Sequence, residues 1–141
     1  MAGVVLDTHA LLWLVTQPET LREDALLAIA NAQAVGRLFV SPITAWELAI
    51  AVNKKTNAPD IGETTVKDWF KAAVAATSSK VVPIGSMIAL EAAAIITITA
   101  HKDPGDCYLM ATARYKKVPI VSRDVTIGRI AKAGHIDVVG C

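Results

Sequence analysis

Five short runs of apolar residues recur along the chain, and none of them alternates with polar residues. They occupy residues 4–6, 38–40, 81–84, 120–121 and 136–139. Continuous apolar runs are typical of strands that are covered on both faces, as in parallel sheets. The runs therefore predict a sheet buried between two layers of other structure.

Helix-like segments separate these runs. Leu and Ala dominate residues 8–15 and 19–35, and Ser41 is expected to cap a helix that has Pro42 in its first position and continues to about Lys55. Further helices are predicted over residues 65–76, 87–96, 103–116 and 126–133. This alternation predicts a single domain over residues 1–141, folded as a three-layer α/β/α sandwich with a mostly parallel sheet of about five strands.

The composition narrows the possible classes of protein. Of the 141 residues, 53% are apolar, which supports a large core and argues against disorder. Lys and Arg total 14 against 13 Asp and Glu, so no overall positive charge points to nucleic acid. Seven of the basic residues follow position 100, against four acids. That local excess is either a patch that guides a polyanion or ordinary solvated surface.

The remaining bulk features favour a reduced, cytoplasmic protein. Cys107 and Cys141 form neither a disulfide framework nor a zinc-binding spacing. Asp7 interrupts the apolar start, which therefore does not resemble a signal peptide. The most apolar later stretch, residues 87–100, contains Glu91 and is shorter than the roughly 20 residues that a membrane helix needs. No association with a membrane is expected.

Five acidic residues occur where predicted strands end or predicted helices begin. They are Asp7, Glu47, Asp103, Asp106 and Asp124. Ligands of open parallel sheets bind outside the carboxyl ends of the strands, so these carboxylates are expected to converge at one edge. Gathering them is costly unless a divalent cation neutralises them, and oxygen ligands favour Mg²⁺ or Mn²⁺. Such ions bridge phosphate oxygens and activate water, which indicates chemistry on a phosphate ester.

Structural explanations compete for the same acids. Asp103 is a good helix N-cap, and Asp106 suits the first turn of a helix. Asp124 is a candidate turn former or ion-pair partner. Capping is a weaker explanation for the other two acids. Asp7 follows a buried strand, and Glu47 lies in an apolar helix. We therefore expect Asp7 and Glu47 to carry the functional role.

Several polar and aromatic residues are candidates for supporting roles. Thr8 and Ser122 are expected to donate hydrogen bonds to the acids, with helix capping and turn formation as alternatives. His9 either points at the site or caps a helix, and His101 is interpreted as a loop residue. Trp13 is expected to pack in the core or at a partner interface. Neither a phosphate-binding loop with Lys nor a G-x-G-x-x-G motif is present, which disfavours nucleotide hydrolysis and dinucleotide binding.

Several fragments, in their order and spacing, resemble the PIN-domain ribonucleases, and within them the VapC-type toxins of bacterial toxin–antitoxin pairs. The fragments are LDTHALLW at 6–13, SPITAWELAI at 41–50, HKDPGD at 101–106, LMATA at 109–113 and VSRD at 121–124. Together they extend over nearly the whole chain. The resemblance implies an α/β/α sandwich, a metal-dependent endoribonuclease, a homodimer, and a small antitoxin that blocks the site.

The resemblance also implies roles for individual residues. The acidic quartet of the family corresponds to Asp7, Glu47, Asp106 and Asp124. Asp7 and Asp106 would be the main metal ligands, while Glu47 and Asp124 would complete the shell or orient water. Asp103 matches an additional acid, and Ser122 matches the hydroxyl residue before the last acid.

One departure from the family pattern concerns the segment around Asp106. Many relatives have Asp-Pro-Phe-Asp-Arg here, whereas this chain has Gly105 and Cys107 in place of the Phe and the Arg. The missing Arg removes a cation near the substrate or the antitoxin.

Two other functions are open alternatives to the ribonuclease. A phosphatase of the haloacid-dehalogenase type also has an Asp after its first strand, but it needs a second acid two residues later, where this chain has His9. A non-catalytic module that binds a partner through its apolar surface is the other alternative. The retained acids argue against that module, so a Mg²⁺- or Mn²⁺-dependent ribonuclease is the leading prediction.

Overall fold

A computed structural model describes residues 2–141 and contains, in that range, five strands and seven α-helices. The strands are β1 (Val4–Leu6), β2 (Leu38–Val40), β3 (Lys80–Val81), β4 (Ile120–Ser122) and β5 (Val138–Gly140). The helices are α1 (Thr8–Thr16), α2 (Glu23–Ala34), α3 (Pro42–Ala51), α4 (Val66–Thr77), α5 (Ser86–Thr99), α6 (Pro104–Lys116) and α7 (Val125–Lys132), with a 3-10 turn at Pro18–Thr20.

The five strands form one parallel sheet in the order β3-β2-β1-β4-β5. Val5 of the central strand pairs with Phe39 of β2 on one side and with Ile120 of β4 on the other. From the central strand β1, the chain adds β2 and then β3 on one side of the sheet, and afterwards β4 and β5 on the other side. The order therefore reverses between β1 and β4, and the predicted α/β fold with a five-stranded parallel sheet is confirmed.

Two hydrophobic clusters lie on opposite faces of the sheet. Val5 points into the cluster that α5, α6 and α7 cover, while Val4 and Leu6 point into the cluster that α1, α2 and α4 cover. Fully buried side chains such as Leu11 and Met110 fill both layers. Each contributes about 1.5–3 kcal/mol by leaving water. The central strands are buried on both faces, so their carboxyl ends form a rigid platform.

The structure differs from the prediction at the third strand and the second helix. The strand predicted over 81–84 is Lys80–Val81. Pro83 lacks the N–H that would extend the ladder. The helix predicted from residue 19 begins at Glu23, because a separate 3-10 turn precedes it.

Two further boundaries are also shifted. The helix predicted to reach Lys55 ends at Ala51, and the last strand is Val138–Gly140 rather than 136–139. Turns and a loop follow α3, where Asn57 adopts a left-handed backbone conformation with φ of 56°. A side-chain amide tolerates that region better than most residues do. These differences concern the ends of elements and leave the predicted order unchanged.

Both cysteines are buried and free. Burial raises the pKa of each thiol to about 11, for Cys107 and for Cys141. Neither thiol is ionised near neutral pH, so neither has the thiolate that nucleophilic chemistry needs. Across residues 2–141, the structure contains no helix of the length and apolar character that crossing a bilayer demands.

Candidate active site

A cleft of about 400 Å³ opens at the carboxyl ends of β1 and β4. This is the point where the strand order reverses, which is the usual ligand position in open α/β sheets. All five acids predicted from the sequence border the cleft, namely Asp7, Glu47, Asp103, Asp106 and Asp124. The structure therefore brings together carboxylates that are up to 117 positions apart in the chain.

Three of these acids begin helices that point at the cleft. Asp7 caps α1 by accepting a hydrogen bond of 2.7 Å from the backbone N–H of Ala10, and Asp103 caps α6 by accepting one of 3.0 Å from the N–H of Asp106. Asp124 caps α7 in the same way. The interpretation that capping explains Asp7 poorly is therefore wrong. The positive ends of three helix dipoles also favour carboxylates at this edge.

Glu47 is different, because it lies in the second turn of α3 rather than at a helix start. Its Oε1 accepts a hydrogen bond of 2.6 Å from the Thr8 hydroxyl. That hydroxyl also lies 3.1 Å from the buried Thr44 hydroxyl. The two threonines join α1 to α3 and fix the Glu47 side chain at the cleft.

Carboxylate oxygens of Glu47, Asp103 and Asp106 lie within 4.8 Å of one another. Mg²⁺ takes oxygen ligands at about 2.0–2.1 Å, so carboxylates this close together would hold one shared ion after a small adjustment of their side chains. The donors are all carboxylate oxygens, which Mg²⁺ and Mn²⁺ prefer. Asp7 and Asp124 border the same cleft from the ends of β1 and β4. The residues present thus fit a divalent cation.

The electrostatics of the acids agree with such a site. Burial is the largest cause that raises the pKa of Asp7, Glu47 and Asp106 above their ordinary values. Hydrogen bonds lower these pKa values in part, from Ser122 at Asp7 and from His101 at Asp106. Neighbouring carboxylates raise the pKa of all three groups further. A cation in the cleft would relieve this repulsion.

His101 is a site residue that the sequence analysis missed. Its Nε2 lies 2.8 Å from Oδ2 of Asp106, and its backbone carbonyl accepts a hydrogen bond from the Cys107 thiol. The imidazole therefore fixes the orientation of a carboxylate in the acidic cluster. One indication of this role was present in the sequence, namely that His101 lies two residues before the Asp103 cap. A residue in that position can fold back onto the first turn of α6, where Asp106 lies.

Arg123 also borders the cleft and brings a guanidinium to it. The guanidinium lies over the Trp13 ring, 4.2 Å from its centroid. The side chain donates hydrogen bonds to the backbone carbonyls of Thr20 and Cys141. A cation is therefore held at the edge of an otherwise acidic cleft.

Residues 4–133 match the family model described as the PIN domain. The chain belongs to the PIN-domain family. Proteins with this domain are generally nucleases, so the acidic cleft of this PIN domain occurs in a family of phosphodiester-cleaving enzymes. No curated protein matches the sequence.

Several solved structures resemble this PIN domain in fold, including a member of the VapBC family of toxin–antitoxin systems. VapBC2 of Rickettsia felis, bound to a DNA fragment from its promoter, has a TM-score of 0.64 at 12% identity, covering 97% of each chain. VapBC-5 of Mycobacterium tuberculosis has a TM-score of 0.59 at 18% identity, covering 100% of each chain. FitAcB of Neisseria gonorrhoeae has a TM-score of 0.56 at 19% identity, covering 96% of this chain and 95% of that one.

Proposed function

We propose that this PIN domain is an endoribonuclease that depends on Mg²⁺ or Mn²⁺ and hydrolyses phosphodiester bonds of RNA. The observation that carries the proposal is the meeting of Glu47, Asp103 and Asp106 within 4.8 Å, at the carboxyl edge of the sheet of a PIN-family chain. Glu47, Asp103 and Asp106 would hold a divalent cation, which would supply polarisation of the phosphate and a lowered pKa of bound water.

The proposed roles follow from the contacts of each residue. The catalytic and metal-binding set is Asp7, Glu47, Asp106 and Asp124, with Asp103 as an additional ligand. Thr8 orients Glu47 through a hydrogen bond, and His101 does the same for Asp106. Ser122 accepts a hydrogen bond of 3.0 Å from the Asp124 N–H, which fixes the turn that presents this acid. Carboxylates held in this way lose little freedom when an ion binds.

Cleavage assays with the purified protein test the enzymatic proposal. Structured RNA should be cut in the presence of Mn²⁺, and EDTA should stop the reaction. The matched variant carries Asp7→Asn and Asp106→Asn. Asparagine is as good an N-cap of α1 as Asp7, and at position 106, in the first turn of α6, it keeps the size of the side chain while removing the charge. Cleavage by this double variant at the rate of the unmodified protein would overturn the assignment, and absence of both Mn²⁺ binding and cleavage would favour a non-catalytic binding module.

We also propose that the chain is the toxin of a type II toxin–antitoxin pair in the cytoplasm. The likeness in fold to VapBC and FitAcB complexes supports this proposal. A small antitoxin would then cover the cleft and keep RNA out. Expression of the chain alone should arrest growth, and co-expression of a small DNA-binding protein encoded next to it should restore growth. Normal growth on expression without that protein would count against toxicity.

A homodimer is the third part of the proposal, in which residues 1–141 form one nuclease domain of each protomer. Met87, Leu90 and Ile98 are 66%, 68% and 55% exposed, and their spacing places them on one side of α5. A second copy that covers this apolar side would remove it from water. Light scattering should give the mass of a dimer for the unmodified protein and of a monomer for Leu90→Glu. A monomeric mass for both would contradict the proposal.

A further inference from the structure

Planar side chains form one wall of the acidic cleft. His9 and Trp13 are four residues apart on α1 and therefore lie on the same side of that helix. Their ring centroids are 5.4 Å apart, with an angle of 36° between the planes. The Arg123 guanidinium lies over the Trp13 ring. All three residues border the cleft that contains the acids, so an aromatic and cationic wall lies beside the carboxylates.

This wall is held in place from behind. Trp13 is half-buried and packs against the core cluster under α1 and α2. Arg123 is tied to the carbonyl of Thr20 at 2.6 Å and to the carbonyl of Cys141. His9, by contrast, is exposed to solvent. Trp13 and Arg123 are thus fixed in place and support the His9 ring, whose surface is available to a ligand. Such preorganisation reduces the entropy lost on binding.

The acids alone do not explain how RNA would be retained in this cleft. Five carboxylates repel a polyanion, and a single bound cation neutralises only part of their charge. Attraction that does not depend on charge is needed beside the metal-binding residues. Stacking of bases on aromatic rings and on guanidinium planes supplies such attraction, and it accepts every base because each has a π face.

We propose that His9, supported by Trp13 and Arg123, is a stacking site for one unpaired base of single-stranded RNA next to the phosphate that is cut. This inference rests on the proposed ribonuclease function and specifies its substrate as an unpaired segment. Bases inside a duplex are already stacked on their neighbours and do not reach the wall. The site therefore discriminates between single-stranded and double-stranded RNA without reading the sequence.

Substitutions at His9 test the proposal, because this side chain is exposed and its loss leaves the core intact. His9→Ala should raise the Kd of a fluorescent single-stranded oligoribonucleotide, and the KM for its cleavage with Mn²⁺, about fivefold or more. The value of kcat should change less than KM. His9→Phe keeps a flat ring and should restore the affinity. His135→Ala, outside the cleft, is the matched control and should behave as the unmodified protein.

A second test of the stacking site uses RNA that lacks one base. Removing the base next to the cut should weaken binding to the unmodified protein by the same factor as His9→Ala, and it should have no further effect on binding to His9→Ala. Equal affinity of the unmodified protein and His9→Ala, or an equal abasic effect on both, would overturn the stacking site. Loss of Mn²⁺-dependent cleavage in all proteins would reject the ribonuclease function, while the binding measurements would still decide on the stacking site.

Discussion

The backbone of Gly105 lies directly against the carboxylate of Glu47. A methyl group at Gly105 would place its carbon 2.6 Å from Cδ of Glu47, well inside the separation of about 3.5–4.0 Å at which carbon atoms pack. The absence of a side chain therefore provides the space in which Glu47 approaches Asp103 and Asp106. Gly105 replaces the Phe of many relatives, and in this structure that replacement leaves room for the Glu47 carboxylate in the acidic cluster.

Replacing Gly105 should weaken metal binding. Gly105→Ala displaces the Glu47 carboxylate from Asp106, so we expect the Kd for Mn²⁺ to rise about tenfold, as measured by calorimetry. Gly128→Ala is the matched control, because a methyl group there meets no atom within 4 Å. The effect should vanish when Glu47 is already alanine. An equal loss of affinity in that background would show that Gly105 acts by another route.

Glu47 should reduce the stability of the metal-free protein. The pKa of this carboxyl is raised in the folded state, so its charged form destabilises the fold above that pKa, and the penalty disappears as pH falls below the unfolded value. Glu47→Gln keeps an acceptor for Thr8 and should raise the free energy of unfolding in EDTA at neutral pH. Urea denaturation with and without Mn²⁺ measures this change. A less stable variant in EDTA would contradict the expectation.

Thr8 should matter through its hydroxyl rather than its shape. Thr8→Val has nearly the same volume but gives no hydrogen bond to Glu47 or Thr44, and we expect the rate of RNA cleavage to fall about tenfold. Thr8→Ser keeps the hydroxyl and should retain most of the rate. Thr16→Val removes an exposed hydroxyl on α1 that donates to the Leu12 carbonyl, and it is the control. Equal rates for the valine and serine variants at position 8 would exclude an orienting role.

His101 should tune metal binding by holding Asp106. His101→Ala frees that carboxylate to rotate, so the Kd for Mn²⁺ should rise about tenfold. Gln is the informative replacement, because its amide nitrogen lies near the position of the imidazole Nε2 and can donate the same hydrogen bond. Calorimetry on both variants decides the matter. Unchanged affinity in the alanine variant would remove His101 from the site.

Much of the fold and the acidic set was predictable because both depend on local patterns. Continuous apolar runs identify buried parallel strands, and an acid at the end of such a strand is placed by the sheet itself, as Asp7 is. The contacts of Glu47 with Thr8 and Gly105 were not predictable, because they depend on how closely separate helices approach. The cap at Asp7 was missed because this single residue separates β1 from α1, with no longer linker to mark a helix start.

The caps at Asp7, Asp103 and Asp124 also affect which acids would be retained if this chain lost its activity during evolution. Each aspartate begins a helix, and losing such a cap costs about 1 kcal/mol of stability. If the proposed ribonuclease activity were lost in a descendant, selection for folding would still keep these three residues. Glu47 and Asp106 cap no helix, so substitutions at these two acids would accumulate first after the activity was lost, and they would distinguish an inactive descendant from an active one.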